Sequence, residues 1–210
     1  MLFPNILRNG RLLGASAVQH IRSISSTPVL HCRRELKVVK LMTFHYRSPL
    51  DWLRNKYQTH TVRAKLDPDF DLNEFLHGSV QACSTVTSVL AGQDANLLNG
   101  MLTPKALAMV QNSMQKYSTA EITELACAPE HVHFARPKNI AVIMLKDKRY
   151  LDIDVFFLIL KAYIDDSDKE ANAKITRIMT EVVMRFSRQY TETVTDWFIT
   201  KAKVVKHTIG

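Results

Sequence analysis

The sequence predicts an α+β domain, with N-terminal helices packed on the concave face of a strongly curved antiparallel sheet of about four to five strands. Two patterns predict this fold: helical periodicity over residues 72–114 and extended alternation over residues 131–205. The extended segments reach about 15 residues, which would span about 50 Å if flat, longer than a small domain is wide. The strands must therefore bend or bulge, and the sheet is expected to form a cone around the helices.

Residues 1–34 have the composition of a mitochondrial presequence, with five arginines, four serines and no acidic residue. Polar residues interrupt the continuous apolar run that a secretory signal peptide would need. Processing is expected near Ser25 and Ser26, where an arginine precedes small residues. The apolar residues are spaced to form a stripe on a short helix: Leu2, Ile6, Leu13, Val18 and Ile21.

Residues 35–65 form a mixed basic and apolar connector with a short helix after Pro49. Leu50, Leu53 and Tyr57 share one face of that helix. Such a face could lie on a membrane surface, on a partner or on its own domain. Its modest apolar area favours packing on the domain.

The next helix is expected to run from about residue 72 to residue 91 and to end at Gly92. Asp71 is the predicted N-cap, with Glu74 as its capping-box partner. The apolar residues recur at steps of three and four: Leu72, Phe75, Leu76, Val80, Cys83, Val86 and Leu90.

Two shorter helices follow in the sequence. Thr103 is expected to cap the second of them and Pro104 to open it. The first carries Leu97, Leu98, Met101 and Leu102, and the second directs Leu107, Val110 and Met114 inward.

The extended half is predicted to contain strands at residues 131–135, 140–146, 150–164, 175–190 and 197–205. A turn is expected at residues 136–139, and an acidic loop separates the third strand from the fourth. Together with the helices, these strands make up one domain over residues 66–207. Its inward faces carry Leu151, Ile153, Val155, Phe157 and Ile159 on one strand and Ile178, Val182, Met184, Phe186 and Tyr190 on the next.

The net charge of +8 belongs to the leader and the connector. Residues 1–65 hold 12 basic and two acidic side chains, whereas residues 66–210 hold 16 basic and 18 acidic ones, which gives +10 and −2. Affinity for a phosphate backbone depends on clustered cations. We therefore expect no specific nucleic-acid binding by the domain.

No sequence motif indicates an enzyme: a glycine-rich phosphate loop, a nucleophile elbow and a paired-histidine zinc helix are all missing from the chain. We expect no catalytic residue, no cofactor and no metal. His131 and His133, with Cys127 nearby, suggest a zinc or copper site, but a fourth ligand is not recognisable. Surface histidines beside a turn are the favoured interpretation.

Asp152 and Asp154 share a strand face and could divide acid and base roles. We interpret them instead as cross-strand partners of the cations at a hairpin tip, Lys146, Lys148 and Arg149. The three cysteines, Cys32, Cys83 and Cys127, are too few and too far apart for a disulfide framework and are expected to be reduced thiols.

The aromatic residues of the last strands are expected to be mainly core, with one or two lining a groove for an apolar peptide face. The groove candidates are Phe157, Phe186, Tyr190 and Trp197. The candidates for an acidic rim are Asp165, Asp166, Asp168 and Glu170.

Three stretches of the sequence resemble a known family. Residues 71–82, with the pattern Asp71-x-x-Glu74-Phe75-x-x-Gly78-x-x-x-Ala82, resemble the opening helix of a domain shared by the matrix subunit of the inner-membrane protein translocase, a mitochondrial ribosomal protein and the matrix AAA peptidase-interacting protein. The tail, Phe186-x-Arg188-x-Tyr190-Thr191-x-x-Val194 and then Asp196-Trp197-x-Ile199, is most similar to the last of these three families, as is the segment 48–54. The resemblance covers residues 47–206 and agrees with a cystatin-like cone.

This resemblance implies a non-enzymatic matrix protein, peripheral to the inner membrane, that associates with the matrix AAA protease. It further implies a chaperone that protects the imported precursor of a small calcium-uniporter subunit and allows its maturation and insertion. A tether between the mitochondrial ribosome and the inner membrane is the first alternative. A small cone-fold isomerase or dehydratase is the second.

Overall fold

The structure, a computed structural model, describes residues 33–35, 49–92, 94–165, 174–191 and 194–210. The leader before residue 33, with its processing site, and three rim candidates, Asp166, Asp168 and Glu170, lie outside the described residues. The helices are α1 (Pro49–Lys65), α2 (Leu72–Ala91), α3 (Pro104–Met114) and α4 (Thr119–Leu125), with 3₁₀ turns at Ala95–Leu98 and Pro129–His131. The strands are β1 (Arg33–Glu35), β2 (Val132–Leu145), β3 (Lys148–Asp165), β4 (Lys174–Tyr190) and β5 (Phe198–Ile209).

All described strands belong to one antiparallel sheet, so the predicted α+β class is confirmed. β3 is central: β2 and the short β1 pair with one of its edges, β4 pairs with the other, and β5 extends the sheet beyond β4. Register shifts interrupt the β2–β3 and β4–β5 pairs, as strands of this length require. The strongly curved cone stays a prediction.

The core lies between the helices and the inward faces of β3 and β4. The alternation predicted for these two strands is confirmed, because every inward residue named above is buried. The same core includes residues of the first two helices, among them Val62, Phe75, Cys83 and Val86. Full burial of one such apolar side chain contributes about 1.5–3 kcal/mol, so this shared core stabilises the contact between helices and sheet.

The predicted limits of α2 and its N-cap are confirmed. The Asp71 side chain accepts hydrogen bonds from the backbone amides of Asn73 and Glu74 at 2.7 and 2.9 Å. These bonds, first that from Glu74, lower the pKa of the Asp71 carboxyl. Gly92 follows the last helical residue, Ala91, with a right-handed φ of −73°.

The predicted turn at residues 136–139 is wrong, because β2 runs through it as one strand with a bulge between Pro137 and Asn139. β2 lies at a sheet edge, where a proline removes no ladder hydrogen bond. The bulge absorbs the polar stretch that the sequence suggested was a turn.

Three further differences concern the helices and the start of the sheet. α1 has 17 residues and is longer than predicted, while the predicted helix with Leu97, Leu98, Met101 and Leu102 is only the 3₁₀ turn Ala95–Leu98. α4 was not predicted, although Ser118 and Glu121 form the capping box that would have indicated it. Arg33 and Arg34, assigned to the presequence, pair with the far end of β3 as part of β1.

Candidate interaction surface

A cluster of four aromatic rings joins α2 to the ends of β4 and β5. The ring of Phe75 lies 4.7 Å from that of Trp197, 5.5 Å from that of Phe186 and 6.1 Å from that of Phe70, measured between centroids. The Phe75–Phe186 pair is edge-to-face, a favourable geometry for two phenyl rings. The cluster therefore fixes the first turn of α2 against the sheet.

Two of the four groove candidates belong to this aromatic cluster. Phe186 and Trp197 meet on Phe75, whereas Phe157 lies further along the inward face of β3. Phe157, Phe186 and Tyr190 are buried in the core and present no surface to a peptide in this conformation. Trp197 is partly exposed. The remaining rim candidate, Asp165, is the last residue of β3.

A polar clamp holds the α1–α2 connection against the end of β4. The Tyr190 hydroxyl donates to Asp67 Oδ2 at 3.0 Å, and the Arg188 guanidinium lies 3.6 Å from the same oxygen. Arg188 also lies over the rings of Tyr190 and Trp197, at 5.3 and 5.7 Å from their centroids. Burial, together with the charge of Asp67 and opposed by that of Arg188, raises the pKa of the Tyr190 phenol to about 12.

We expect this clamp to weaken at alkaline pH. An unfolded tyrosine ionises with a pKa of about 10, whereas Tyr190 in the folded chain holds its proton to a pKa of about 12. Its contribution to stability is therefore complete below pH 10 and is lost as the pH rises to about 12. Urea unfolding of wild type and Tyr190→Phe at several pH values measures what the Tyr190 hydroxyl contributes to the free energy of unfolding. The stability difference between the two proteins should shrink across this window, and a constant difference would contradict the assignment.

Helix α1 is held on the edge strand β2 by polar contacts. The Asn55 side-chain amide donates to the Pro137 carbonyl at 3.1 Å, and Arg54 donates to the Lys138 carbonyl at the same distance. Seven residues beyond Asn55, on the same side of the helix, Val62 is completely buried in the core. The inward face of α1 therefore runs through Asn55 and Val62.

The opposite side of α1 is apolar and exposed. At 100° per residue, Leu50, Leu53 and Tyr57 lie about half a turn from the inward face, and Trp52 lies on the flank between the two sides, about 60° from Asn55. Their side chains are exposed by 75%, 58%, 72% and 46%, respectively. We call these four residues the α1 face.

The expectation that this helix packs its apolar side on the domain is thus wrong. At the bulge in β2, the carbonyls of Pro137 and Lys138 accept hydrogen bonds from Asn55 and Arg54, respectively. Satisfying these carbonyls turns the apolar residues outward. The pair Asn55 and Val62 was the only signal in the sequence for this orientation.

A polar cleft of about 440 Å³ opens beside the α1 face, between α1 and the sheet. Basic side chains predominate in its lining: Arg54, Arg136, Lys138 and Lys201 face Asp51 and Asp154. Asn55 Oδ1 and Arg136 Nε are buried there with no hydrogen-bond partner among the described residues. The cleft thus borders the α1 face with cationic and unsatisfied polar groups.

The carboxylates considered for acid–base chemistry are held by β4. Arg185 donates two hydrogen bonds to Asp154, at 2.7 and 3.0 Å, and Ser187 donates to Asp152 at 2.6 Å. Both aspartates have cross-strand partners, as expected. These partners are Ser187 and Arg185 on β4 and not the cations at the hairpin tip, so the predicted partners are wrong. Asp154 raises the pKa of the Arg185 guanidinium, as an ion pair does.

The histidine pair does not extend into a larger cluster in the described residues. His131 Nδ1 accepts a hydrogen bond from the Ala128 amide at 3.0 Å, which closes the 3₁₀ turn before β2. Across the described ranges, no group of three or more histidine, cysteine or acidic side chains is placed to hold a metal ion.

The fold and the exposed side chains described above are typical of a protein-interaction domain. The fold is an α+β domain, and four of its exposed large apolar side chains lie on α1. Exposed apolar groups with a polar border are typical of protein-interaction surfaces.

The relatives found by sequence comparison are named for such an interaction. The chain is 19% identical over 205 residues to m-AAA protease-interacting protein 1, mitochondrial, of Mus musculus, which covers 88% of this chain and 70% of the relative. The proteins of the same name from Rattus norvegicus and Homo sapiens are 21% and 20% identical and cover 86% and 77% of this chain. The predicted resemblance to this family is therefore confirmed. No protein-family model matches the chain.

The matched region spans 60% of the human relative and 66% of the rat one. The relatives are named as mitochondrial proteins, which confirms the mitochondrial location predicted from the leader. Within the ranges that the structure describes, no helix combines the length and the apolar character needed to span a bilayer.

Proposed function

We propose that this chain is a matrix adaptor, without enzymatic activity, that associates with the m-AAA protease at the inner membrane. The α1 face is the observation that carries the proposal, because it exposes three large apolar side chains and a tryptophan beside a complete core. Relatives named as m-AAA protease-interacting proteins support the choice of partner.

The α1 face has the composition of a docking site. Tryptophan and tyrosine are the residues most enriched at binding hot spots, which are surrounded by polar groups that exclude water. Trp52 and Tyr57 provide the aromatic anchors, and Lys56 lies 5.0 Å from the centre of the Trp52 ring. The cationic cleft supplies a polar border on one side. We therefore assign the α1 face to the protease.

We further propose that the chain binds the imported precursor of a small calcium-uniporter subunit and protects it until it matures and inserts. A presequence is a basic amphipathic helix, and it would pair with an acidic rim beside an apolar groove. Trp197 is the groove candidate with exposed surface, and the acidic segment 165–170 is the proposed rim. A peptide would reach Phe157, Phe186 and Tyr190 only if the helices moved away from the sheet.

The proposed division of the chain is a presequence at residues 1–34, a connector at residues 35–65 and the domain at residues 66–207. Cleavage near Ser25 and Ser26 would leave β1 on the mature chain, where Arg33–Glu35 pair with β3. Sequencing the N-terminus of the imported protein tests this division.

The function is tested by isolating the chain from mitochondria. A C-terminally tagged chain, imported with its own leader, is solubilised in mild detergent and its partners are identified by mass. We expect subunits of the m-AAA protease and the uniporter-subunit precursor to be enriched over a tagged control matrix protein. Equal recovery from both would contradict the proposal, and recovery of the protease alone would restrict it to the adaptor role.

One observation favours the ribosome or inner-membrane tether as a second candidate. Lys201, Lys203 and Lys206 are exposed along β5, and two more cations, Arg54 and Lys56, are exposed on α1. Such a basic strip would attract ribosomal RNA or anionic lipid in a salt-dependent way. Sedimentation of mitochondrial lysate at low salt distinguishes the two candidates, because only the tether should move with ribosomes or membranes when the protease is absent.

A further inference from the structure

Two buried cysteines lie together in the described structure, although they are far apart in the sequence. Cys83 lies in the middle of α2, and Cys127 lies in the short connection between α4 and β2. Both are free thiols with no more than 2% of their surface exposed. Thr87 joins the two positions, because its hydroxyl donates to the Cys83 carbonyl at 3.0 Å and lies 3.2 Å from Cys127 Sγ.

The backbone around Cys127 is fixed to α2 by hydroxyl groups. The Ser84 hydroxyl donates to the Cys127 carbonyl at 2.7 Å, and the Cys127 amide donates to Thr87 Oγ1 at 3.2 Å. Thr87 Oγ1 also lies 3.2 Å from Cys127 Sγ. These contacts fix Cys127 against the turn of α2 that carries Cys83.

The surroundings of the two thiols are unequal. The hydrogen bond from Cys83, and after it those from Thr87 and the charge of Lys161, lower the pKa of Cys127 to about 7. The same hydrogen bond and burial raise the pKa of Cys83. The buried Lys161 ammonium donates to the carbonyls of Glu124 and Ala126, directly before Cys127. A hydroxyl and a cation thus lie beside Cys127, and these surroundings favour its thiolate and make it the better nucleophile of the two.

We propose that Cys83 and Cys127 form a reversible disulfide by exchange with a small-molecule disulfide such as oxidised glutathione. The Cys127 thiolate attacks one sulfur of that disulfide and expels a thiolate. Cys83 then loses its proton and attacks Cys127 Sγ, which expels the second thiolate. The two protein thiols are oxidised, the small disulfide is reduced to two thiols, and the released protons go to the departing thiolates.

Access to the buried pair requires a local opening. Helix α4 ends two residues before Cys127, packs against α2 and has only seven residues. Short helices with few buried residues belong to the part of a fold that opens most readily. The oxidised form would tie the α4–β2 connection to α2 and close this opening.

The experiment uses the full chain with Cys32→Ser, so that only two thiols remain. The protein is incubated with oxidised glutathione, with and without urea at half its unfolding midpoint, then quenched in acid and mapped by mass. We expect a Cys83–Cys127 linked peptide, reversed by dithiothreitol, and a melting temperature about 5 °C or more above that of the reduced form. Persistent glutathione on Cys127, or two free thiols under both conditions, would overturn the proposal.

Two variants serve as controls for the mechanism. Cys83→Ala removes the second thiol, so Cys127 should remain joined to glutathione. Thr87→Val keeps the side-chain shape but removes the hydroxyl beside Cys127 Sγ, and it should slow the reaction several-fold at neutral pH. An unchanged rate in Thr87→Val, with its fold intact by circular dichroism, would contradict the role of that contact.

Discussion

Replacing Phe75 by alanine is expected to lower the free energy of unfolding by about 3–5 kcal/mol, the usual range for removing a buried phenyl ring. Phe75 is the ring that contacts the other three in the aromatic cluster, and it is buried at the first turn of α2. Its loss leaves a cavity between helix and sheet that Phe186 and Trp197 cannot both fill. Urea unfolding followed by tryptophan fluorescence measures the change.

Tyr57→Ala is the matched control, because it removes an aromatic ring of similar size from an exposed position on α1. We expect that variant to stay within about 0.5 kcal/mol of wild type. A loss of less than about 1 kcal/mol for Phe75→Ala would show that the cluster does not fix α2 to the sheet.

The double variant Leu53→Glu with Tyr57→Glu should reduce recovery of the m-AAA protease at least about tenfold, since hot-spot residues contribute about 2 kcal/mol or more each. Both side chains are exposed, so the carboxylates remain in water and the fold should be preserved. Recovery is measured by quantitative mass analysis of the tagged chain isolated from mitochondria.

The control for this variant is Leu97→Glu with Met109→Glu, at apolar residues that are 59% and 45% exposed outside α1. It adds the same charge to the surface and should leave recovery unchanged. Equal losses in both variants would indicate a general charge effect. No loss in either would remove the α1 face as the docking site.

Strands β3 and β4 and the core on their inward faces were predictable, because the alternation of apolar side chains along each strand specifies which face is buried. On β3, Leu151 and Phe157 lie in an alternation that only one face can bury, and the register follows from it. The cap and limits of α2 were equally local, since Asp71 and the apolar spacing lie within a few residues of each other.

The α1 face was not predictable in the same way, since its orientation depends on a distant strand. The carbonyls of Pro137 and Lys138 accept hydrogen bonds from Asn55 and Arg54, and inside α1 only the spacing of Asn55 and Val62 indicates this orientation. The packing of two groove candidates was unpredictable for a related reason: Phe75, which contacts both Phe186 and Trp197, comes from another element. Contacts between distant elements decided both cases.

The position of Leu53 offers the most direct test that α1 contacts the protease. A photo-reactive amino acid is placed at residue 53, and in a separate chain at residue 97, and both chains are imported into mitochondria and irradiated. We expect a crosslink to an m-AAA protease subunit from residue 53 and none from residue 97. Crosslinks to other proteins only, or equal crosslinks to the protease from both positions, would contradict the assignment of this surface.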